Sequence, residues 1–220
     1  MIRLSKLSAE DAAHGGAIAW LAQRRVAYRR AREAGEPTKH FLPMYREDRV
    51  KAAIMAETFG KCAYCESKYV TVTWGDVEHI LPRAADPERQ LDYENLTLAC
   101  SICNNAKSDK EYADGMGLVN PYSDLPEQYL TVSDHLLRPA LKAAAFVRGK
   151  RTIDDVKLNR PGLLEARRRF VDRCFEAMFE HENAPNQPLK DYAREKIDDM
   201  QAPAAEYSAV ARQVFRAYGF

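Results

Sequence analysis

The sequence lacks the long apolar segments that a membrane-spanning protein needs. Lys and Arg are scattered through all 220 residues, and no uncharged run approaches the roughly 18 residues that a spanning helix requires. The N-terminal segment soon reaches Arg3 and Lys6, so it also lacks the apolar core of a signal peptide. Internal repeats and low-complexity tracts are absent as well. These absences predict a globular cytoplasmic protein without a membrane partner.

A strong excess of one charge sign is also missing from the chain as a whole. The formal net charge is only +1, so bulk charge does not indicate a nucleic-acid-binding protein. The local balance differs, because residues 1–60 carry 11 Lys and Arg against 7 Asp and Glu, whereas residues 61–121 carry 6 against 10. The acidic middle indicates either solvated loops or a region that binds cations.

Cysteine is scarce, but its placement is informative. Four of the five cysteines form two Cys-x-x-Cys pairs, Cys62 with Cys65 and Cys100 with Cys103, and 34 residues separate the pairs. Disulfides are rare in the cytoplasm, and two such pairs are typical of a tetrahedral zinc site. Because four sulfurs fill the coordination shell, we expect a structural zinc ion. Four buried thiols without a metal are the alternative.

The segment between the cysteine pairs contains one histidine with unusual neighbours. Residues 70–77 are mostly β-branched or aromatic and predict a strand, and residues 91–99 predict a turn and a second short strand. Residues 104–110 predict the opening of a helix, which completes a hairpin followed by a helix. Among the five histidines, only His79 has a carboxylate directly before it, Glu78, and a predicted turn directly after it. We interpret the other four as structural or incidental.

Together these residues resemble a known nuclease family. The pattern is similar to that of an HNH nuclease with four zinc-binding cysteines, and the matching positions are Cys62, Cys65, Glu78, His79, Asn95, Leu96, Cys100, Cys103, Asn104 and Lys107. The resemblance implies an α+β, mostly helical protein with a small zinc-pinned ββα-metal HNH core flanked by N- and C-terminal helices. We place the N-terminal helical region at 1–59, the HNH core at 60–121 and the C-terminal helical region at 122–220.

The resemblance implies a role for the residues around the hairpin. His79 corresponds to the general base that activates water, and Glu78 to a ligand of a catalytic divalent cation. Asn95 corresponds to the residue that holds the His79 loop through backbone contacts. These roles suit the residue types, because an imidazole titrates near neutral pH and can take a proton from water.

The resemblance also assigns roles to the helix that follows the second cysteine pair. Asn104 corresponds to a second metal ligand, with the adjacent Asn105 as an alternative, and Lys107 to a residue near a phosphate. Many relatives have Asp where this chain has Glu78, and His where it has Asn104. One carboxylate and one amide oxygen suit Mg²⁺ or Mn²⁺, which keep several waters and gain ligands from a substrate phosphate.

The flanks carry a second and longer resemblance. Residues 61–66, 119–124 and 152–160 resemble the PtuB-like nuclease subunits of Septu-type anti-phage defence, a family that also occurs beside retrons. This resemblance implies the nuclease effector of a defence complex, with DNA as the preferred nucleic acid. It implies a PtuA-like ABC-type ATPase subunit as partner, and a retron reverse transcriptase and its DNA as further partners.

The regions outside the core are predicted to be helical. Residues 16–33 predict a helix on which Arg25 and Arg29 recur at helical spacing, and Arg83 follows the predicted turn. These arginines contact phosphates or, alternatively, form an ordinary solvated face. Apolar periodicity predicts further helices at 46–58, 162–181 and 207–218, with residues 185–188 as a linker, Cys174 as a core thiol and the arginines 167–169 on a side away from the core.

Two other functions remain open at this point. The first is a zinc-binding nucleic-acid-binding or adaptor module whose HNH site is idle. The set Glu78, His79, Asn95 and Asn104 argues against it, because a binding module has no need of a general base. The second is a stand-alone restriction or homing-type nuclease, but those proteins usually carry an additional sequence-reading element that is not evident here.

Overall fold

The computed structural model describes residues 1–68, 75–110, 112 and 116–220. Helices predominate in this part of the chain, and they are α1 (Gly15–Glu33), α2 (Asp48–Glu57), α3 (Ser101–Lys107), α4 (Ala143–Asp155), α5 (Pro161–Glu182), α6 (Gln187–Gln201) and α7 (Ser208–Ala217). The strands are β1 (Asp76–His79), β2 (Leu96–Ala99), β3 (Leu130–Ser133) and β4 (Leu136–Pro139). The predicted α+β, mostly helical fold class is confirmed.

The first sheet carries the residues of the predicted site. Strands β1 and β2 pair antiparallel, with Val77 opposite Leu98 and His79 opposite Leu96. Helix α3 follows β2 directly, so the observed order is hairpin and then helix. The first strand expected from the sequence spans 70–77; its residues 70–74 lie outside the described residues, and the described strand begins at Asp76.

The predicted helices agree with the structure to within a few residues, and the C-terminal region differs in two respects. Strands β3 and β4 form an antiparallel hairpin inside the region expected to be helical. The linker expected at 185–188 lies at 183–186, and α6 begins at Gln187, where the Asn186 side chain accepts a hydrogen bond from the backbone N–H of Leu189. A helix begins there because Asn caps the free N–H groups and Pro188 is tolerated in the first turn.

The larger of two hydrophobic clusters in the described part of the chain contains residues from all three sequence regions. Helices α5, α6 and α7 pack on one another, and Cys174 is fully buried among them, as expected for a core thiol. The Lys61 ammonium, beside the first cysteine pair, donates to the backbone oxygens of Pro203 at 2.6 Å and Ala205 at 2.8 Å. The segment between α6 and α7 therefore holds the turn that carries Cys62 and Cys65.

A buried polar cluster supports the first sheet from the other side. The Glu57 carboxylate accepts hydrogen bonds from the hydroxyls of Tyr93 at 2.6 Å and Tyr122 at 3.1 Å, and from the Lys6 ammonium at 3.1 Å. Lys6 also donates to the backbone oxygen of Leu96 in β2. Because each of these polar groups has a partner, the cluster can be buried without a large desolvation cost.

None of the helices in the described part of the chain has both the length and the hydrophobicity needed to cross a bilayer.

Candidate active site and four-cysteine metal centre

The four paired cysteines form one cluster. Their sulfur atoms all lie within 4.8 Å of one another, and the Sγ atoms of Cys65 and Cys100 are 3.9 Å apart. Tetrahedral zinc with Zn–S bonds of about 2.3 Å separates its sulfurs by roughly 3.8 Å, so this donor set fits a zinc ion. Cys62 and Cys103 complete the cluster, which can pin the turn at 62–65 to the start of α3.

Local hydrogen bonds explain why the two cysteine pairs meet. The backbone N–H of Ala63, between the first two cysteines, donates to the oxygen of Leu98 in β2 at 2.9 Å. Cys100 directly follows β2 and caps α3, where its sulfur accepts from the backbone N–H of Cys103 at 3.5 Å. The turn therefore docks on the strand that leads into the second pair.

A small cavity of about 120 Å³ is lined by residues from the end of β1 and from α3. We call it the His79 cavity, and its lining residues are Tyr45, Arg46, Val77, Glu78, His79, Pro82, Arg83, Asn104, Lys107, Ser108 and Asp109. Four of the predicted catalytic residues thus share one space, two from the end of β1 and two from α3. Asn95 does not line the cavity.

The His79 imidazole is held in one orientation. Its Nε2 lies 2.9 Å from the backbone oxygen of Gln90, and its ring packs edge-on against Tyr45 with the centroids 4.5 Å apart. Because a carbonyl oxygen only accepts, Nε2 carries the hydrogen and Nδ1 keeps a lone pair. Burial, with smaller contributions from the nearby Arg83, Lys107 and Arg46 charges, lowers the pKa of His79 to about 4, although the hydrogen bond to Gln90 opposes the shift. The ring is therefore neutral at pH 7 and able to accept a proton.

Glu78 is paired with Lys107 beneath the cavity. The Lys107 ammonium donates to Glu78 Oε1 at 2.7 Å and to the backbone oxygen of His79 at 2.8 Å. Burial raises the pKa of Glu78, while the ion pair opposes that rise. Lys107 is only 2% exposed, although it lines the His79 cavity; its expected position near a phosphate stays a prediction. A buried carboxylate attracts the ammonium inward because neither charge is otherwise compensated.

Asn95 fixes the loop that follows His79. Its side-chain oxygen accepts from the backbone N–H of Leu81 at 2.8 Å, and its amide nitrogen donates to the oxygen of Leu81 at 3.1 Å. Its backbone oxygen accepts from the N–H of Ile80 at 2.8 Å. The side chain is buried, which makes these bonds effective in holding the loop.

The structure separates the two asparagines that the sequence left as alternatives. Asn104 lines the His79 cavity together with Glu78, and its amide lies 3.4 Å from a carboxylate oxygen of Asp76. Asn105, one residue further along α3, is exposed and does not line the cavity. A rotation of about 100° per helical residue turns the second side chain away.

The predicted nucleic-acid contacts divide into two groups. Arg25 and Arg29 on α1 form ion pairs with Asp92 at 2.9 Å and Glu88 at 3.3 Å, and neither lines the His79 cavity. Both arginines therefore form ion pairs that join α1 to the loop after β1. These ion pairs do not favour the expected contacts with phosphates. Arg83 does line the cavity, and no ion pair or hydrogen bond engages its guanidinium among the described residues.

Arg46 and Asp109 also line the His79 cavity, but neither was predicted from the sequence as a site residue. Tyr45 and Arg46 belong to a short 3₁₀ turn, Met44–Arg46, that lies before α2 and outside residues 62–103, the segment bounded by the two cysteine pairs. No spacing rule connects this turn with His79. Asp109 lies two residues after Lys107, the last residue of α3. This position at the end of the helix was the one sequence signal that could have identified Asp109 as a site residue.

Comparison with known proteins agrees with this geometry. Residues 62–110 match the HNH endonuclease family model, so the chain contains an HNH endonuclease domain, which spans both cysteine pairs and His79. Over 137 residues the chain is 27% identical to the Septu protein PtuB of Bacillus thuringiensis, a match that covers 58% of this chain and 49% of the relative. The chain thus matches about half the length of that curated relative. Both expected resemblances are confirmed.

Proposed function

We propose that this protein is a metal-dependent endonuclease that hydrolyses phosphodiester bonds of nucleic acid, with His79 as general base. One observation carries the proposal: a neutral imidazole, tied through Nε2 to the Gln90 carbonyl, shares a cavity with Glu78 and Asn104 inside an HNH domain. A protein that only bound nucleic acid would need no such base. This argues against the idle adaptor.

The proton transfer is assigned to the free ring nitrogen. His79 Nδ1 accepts a proton from the water that attacks phosphorus, and the Gln90 carbonyl stabilises the resulting imidazolium through Nε2–H. Asn95 keeps the following loop, and with it the ring, in place. A neutral base at pH 7 needs no prior deprotonation, which agrees with the lowered pKa of His79.

Glu78 and Asn104 are the residues proposed to hold the catalytic cation. Lys107 bonds to Oε1 of Glu78, and we assign coordination of the cation to the second carboxylate oxygen. A hard oxygen donor set suits Mg²⁺ or Mn²⁺, and such an ion, when bound, stabilises negative charge on the phosphoryl and leaving oxygens. Asp109 adds negative charge at the same cavity, which favours cation binding there.

Arg46 and Arg83 are proposed as the phosphate-binding residues. Their guanidinium carbons lie 5.1 Å and 5.9 Å from the centre of the Tyr45 ring, the ring that also packs on His79. Neither arginine has an acidic partner among the described residues, in contrast to Arg25 and Arg29. Nucleic acid is a polyanion, and residues 61–121 carry more acidic than basic side chains. Its binding therefore requires positive side chains without acidic partners at the cavity, and Arg46 and Arg83 supply them.

The four cysteines are proposed to bind a structural zinc ion. Their sulfurs occupy every position of a tetrahedral shell, so a water or substrate has no place on that ion. The ion would instead stabilise the contact of the 62–65 turn with β2 and α3. Catalysis is then separate from the zinc centre.

The wider biological role rests on the relative. We propose that the chain acts in the cytoplasm on DNA as the nuclease effector of an anti-phage defence complex, because it resembles a Septu protein. A PtuA-like ABC-type ATPase subunit is the proposed partner, and a retron reverse transcriptase with its DNA is a further one.

A plasmid assay tests the enzymatic proposal. The full chain, alone and with a co-purified ATPase subunit, is incubated with supercoiled plasmid and Mg²⁺ or Mn²⁺. We expect nicked or linear product that EDTA abolishes. Cleavage that persists in EDTA contradicts metal dependence, and cleavage of RNA but not plasmid contradicts the DNA assignment. Binding without cleavage of either under all conditions favours the adaptor.

A further inference from the structure

We propose that Arg160 is an outer part of the four-cysteine metal centre, where its guanidinium donates hydrogen bonds to the sulfurs of Cys100 and Cys103 and slows metal loss. The inference rests on the zinc occupancy proposed above. It gives a role to the end of the segment 152–160, which the HNH domain match at 62–110 does not include.

The contacts come from one guanidinium and reach two sulfurs. Arg160 Nη1 lies 3.5 Å from Cys103 Sγ, and Nη2 lies 3.9 Å from Cys100 Sγ. Both distances are within the range of N–H···S hydrogen bonds. The planar fork of an arginine places two donors side by side, which suits a pair of sulfurs better than a single ammonium would.

These contacts are stabilising because the Arg160 guanidinium is positive and the cysteine-bound metal centre would be negative. Four thiolates around one Zn²⁺ carry a formal charge of about −2 in a largely buried setting, and such charge needs compensation. Among the described residues, Arg160 is the cationic side chain that hydrogen-bonds to these sulfurs. Its N–H groups stabilise the negative charge of the sulfurs and make their protonation, which would release them from the ion, less favourable.

The chain delivers Arg160 to this place through a well-fixed turn between α4 and α5. Lys157 adopts a left-handed backbone conformation with φ 55°, and Leu158 is fully buried. The Asn159 side chain accepts from the N–H of Leu137 at 3.1 Å and donates to its oxygen at 2.8 Å, which ties the turn to β4. The turn therefore fixes the backbone of Arg160 next to the second cysteine pair.

A neighbouring arginine in α5 provides a matched control. Arg168 is exposed, and its contacts are with Glu165 and Asp172 on its own helix. Replacement of Arg160 or Arg168 by Gln removes the same charge. Only the first replacement removes donors to the cysteine sulfurs.

Zinc release measures the effect. The full chain, purified with zinc and checked by elemental analysis, is mixed with the chromogenic chelator 4-(2-pyridylazo)resorcinol. Loss of an outer hydrogen bond at a metal site typically costs about 10- to 100-fold in metal affinity. We expect Arg160→Gln to release zinc at least about 10-fold faster than the unmodified protein, Arg168→Gln to behave like the unmodified protein, and Arg160→Lys to fall between them.

Cobalt provides a readout that a purely structural role would not change. In the Co²⁺-substituted protein, removal of N–H donors makes the thiolates more electron-rich, so the sulfur-to-cobalt charge-transfer band of Arg160→Gln should move to lower energy. If Arg160→Gln does not fold, Arg160→Lys carries both measurements. Release kinetics and a band position equal to those of the unmodified protein would overturn the proposal. An unmodified protein that binds no zinc would instead overturn the zinc assignment itself, and this inference with it.

Discussion

The ammonium of Lys107 and the carboxylate of Glu78 form a buried ion pair, with Nζ and Oε1 2.7 Å apart. The pair joins the end of α3 to β1 directly under the His79 cavity, and the same ammonium also holds the backbone oxygen of His79. Lys107 thus positions the two residues on which the proposed chemistry depends.

Removal of one partner of this pair should be costly. In Lys107→Met, the Glu78 carboxylate loses its compensating charge, and breaking a buried ion pair typically costs about 3–5 kcal/mol. We expect the free energy of unfolding in urea to fall by about 3 kcal/mol. The control is Lys110→Met, which breaks an exposed pair with Asp155 and should cost less than about 1 kcal/mol. Equal losses in the two variants would contradict the assigned role of Lys107.

His79 should be required for cleavage but not for folding. Removal of a general base typically lowers the rate by about 10²- to 10⁴-fold, so we expect His79→Ala to lose at least about 10² in the rate of plasmid nicking. Circular dichroism should show an unchanged fold. His135 lies on the β3–β4 turn, away from the His79 cavity, and His135→Ala should keep full activity. Comparable nicking rates in the two variants would remove His79 from the mechanism.

The lowered pKa of His79 predicts a pH dependence of stability. The ring has a pKa of about 4 when folded and about 6.5 when unfolded. Between these values the unfolded chain binds more protons, so the stability associated with the neutral ring is present above about pH 6.5 and is lost as pH falls toward 4. We expect a loss of about 2 kcal/mol between pH 7 and pH 5.

Comparison with His79→Ala isolates this contribution from other acid-sensitive groups. The free energy of unfolding is measured in urea at both pH values for each protein. The loss in the unmodified protein should exceed that in His79→Ala by about 2 kcal/mol. Identical losses would show that the ring is not protected from protonation in the folded protein.

The four-cysteine cluster should be essential for the fold. Because metal binding energy becomes folding energy in such a site, Cys100→Ser should yield insoluble or zinc-free protein. Cys174 is also buried but lies in the helical core away from the cluster, so Cys174→Ala should remain soluble with about one zinc ion per chain. Elemental analysis of both purified proteins provides the comparison, and full zinc content in soluble Cys100→Ser would contradict the site.

Arg46 and Arg83 should contribute to binding more than the arginines of α1. Removal of one phosphate-binding side chain should reduce the slope of log binding constant against log salt concentration by about 1. Fluorescence anisotropy with a labelled DNA duplex and no added Mg²⁺ or Mn²⁺, on the His79→Ala background, measures binding without cleavage and leaves the proposed zinc site intact. We expect the reduced slope in Arg46→Gln and Arg83→Gln but not in Arg29→Gln, whose side chain is paired with Glu88. An equal change in all three would assign the effect to net charge alone.

Much of the local architecture could be predicted because its signals are local. The Cys-x-x-Cys pairs show their ligand spacing within four residues, and the helix predicted at 162–181 from apolar periodicity matches α5, Pro161–Glu182. The β3–β4 hairpin was not predicted because its strands are only four residues long and do not form part of a longer stretch of alternating apolar and polar residues. Arg167 was expected on the side away from the core, yet it is buried and donates to Asn159 at 3.0 Å.

By itself, the sequence determined that four thiols, a histidine and a neighbouring carboxylate belong to an HNH-like hairpin and helix. Tertiary structure alone decided which charges are free. Lys107 turns inward to Glu78, Arg25 and Arg29 are neutralised by the loop after β1, and Arg46 reaches the His79 cavity from before α2. The physical reason is that charge compensation depends on distances of a few ångströms between segments far apart in the chain. The spacing of residues within one segment does not determine these distances.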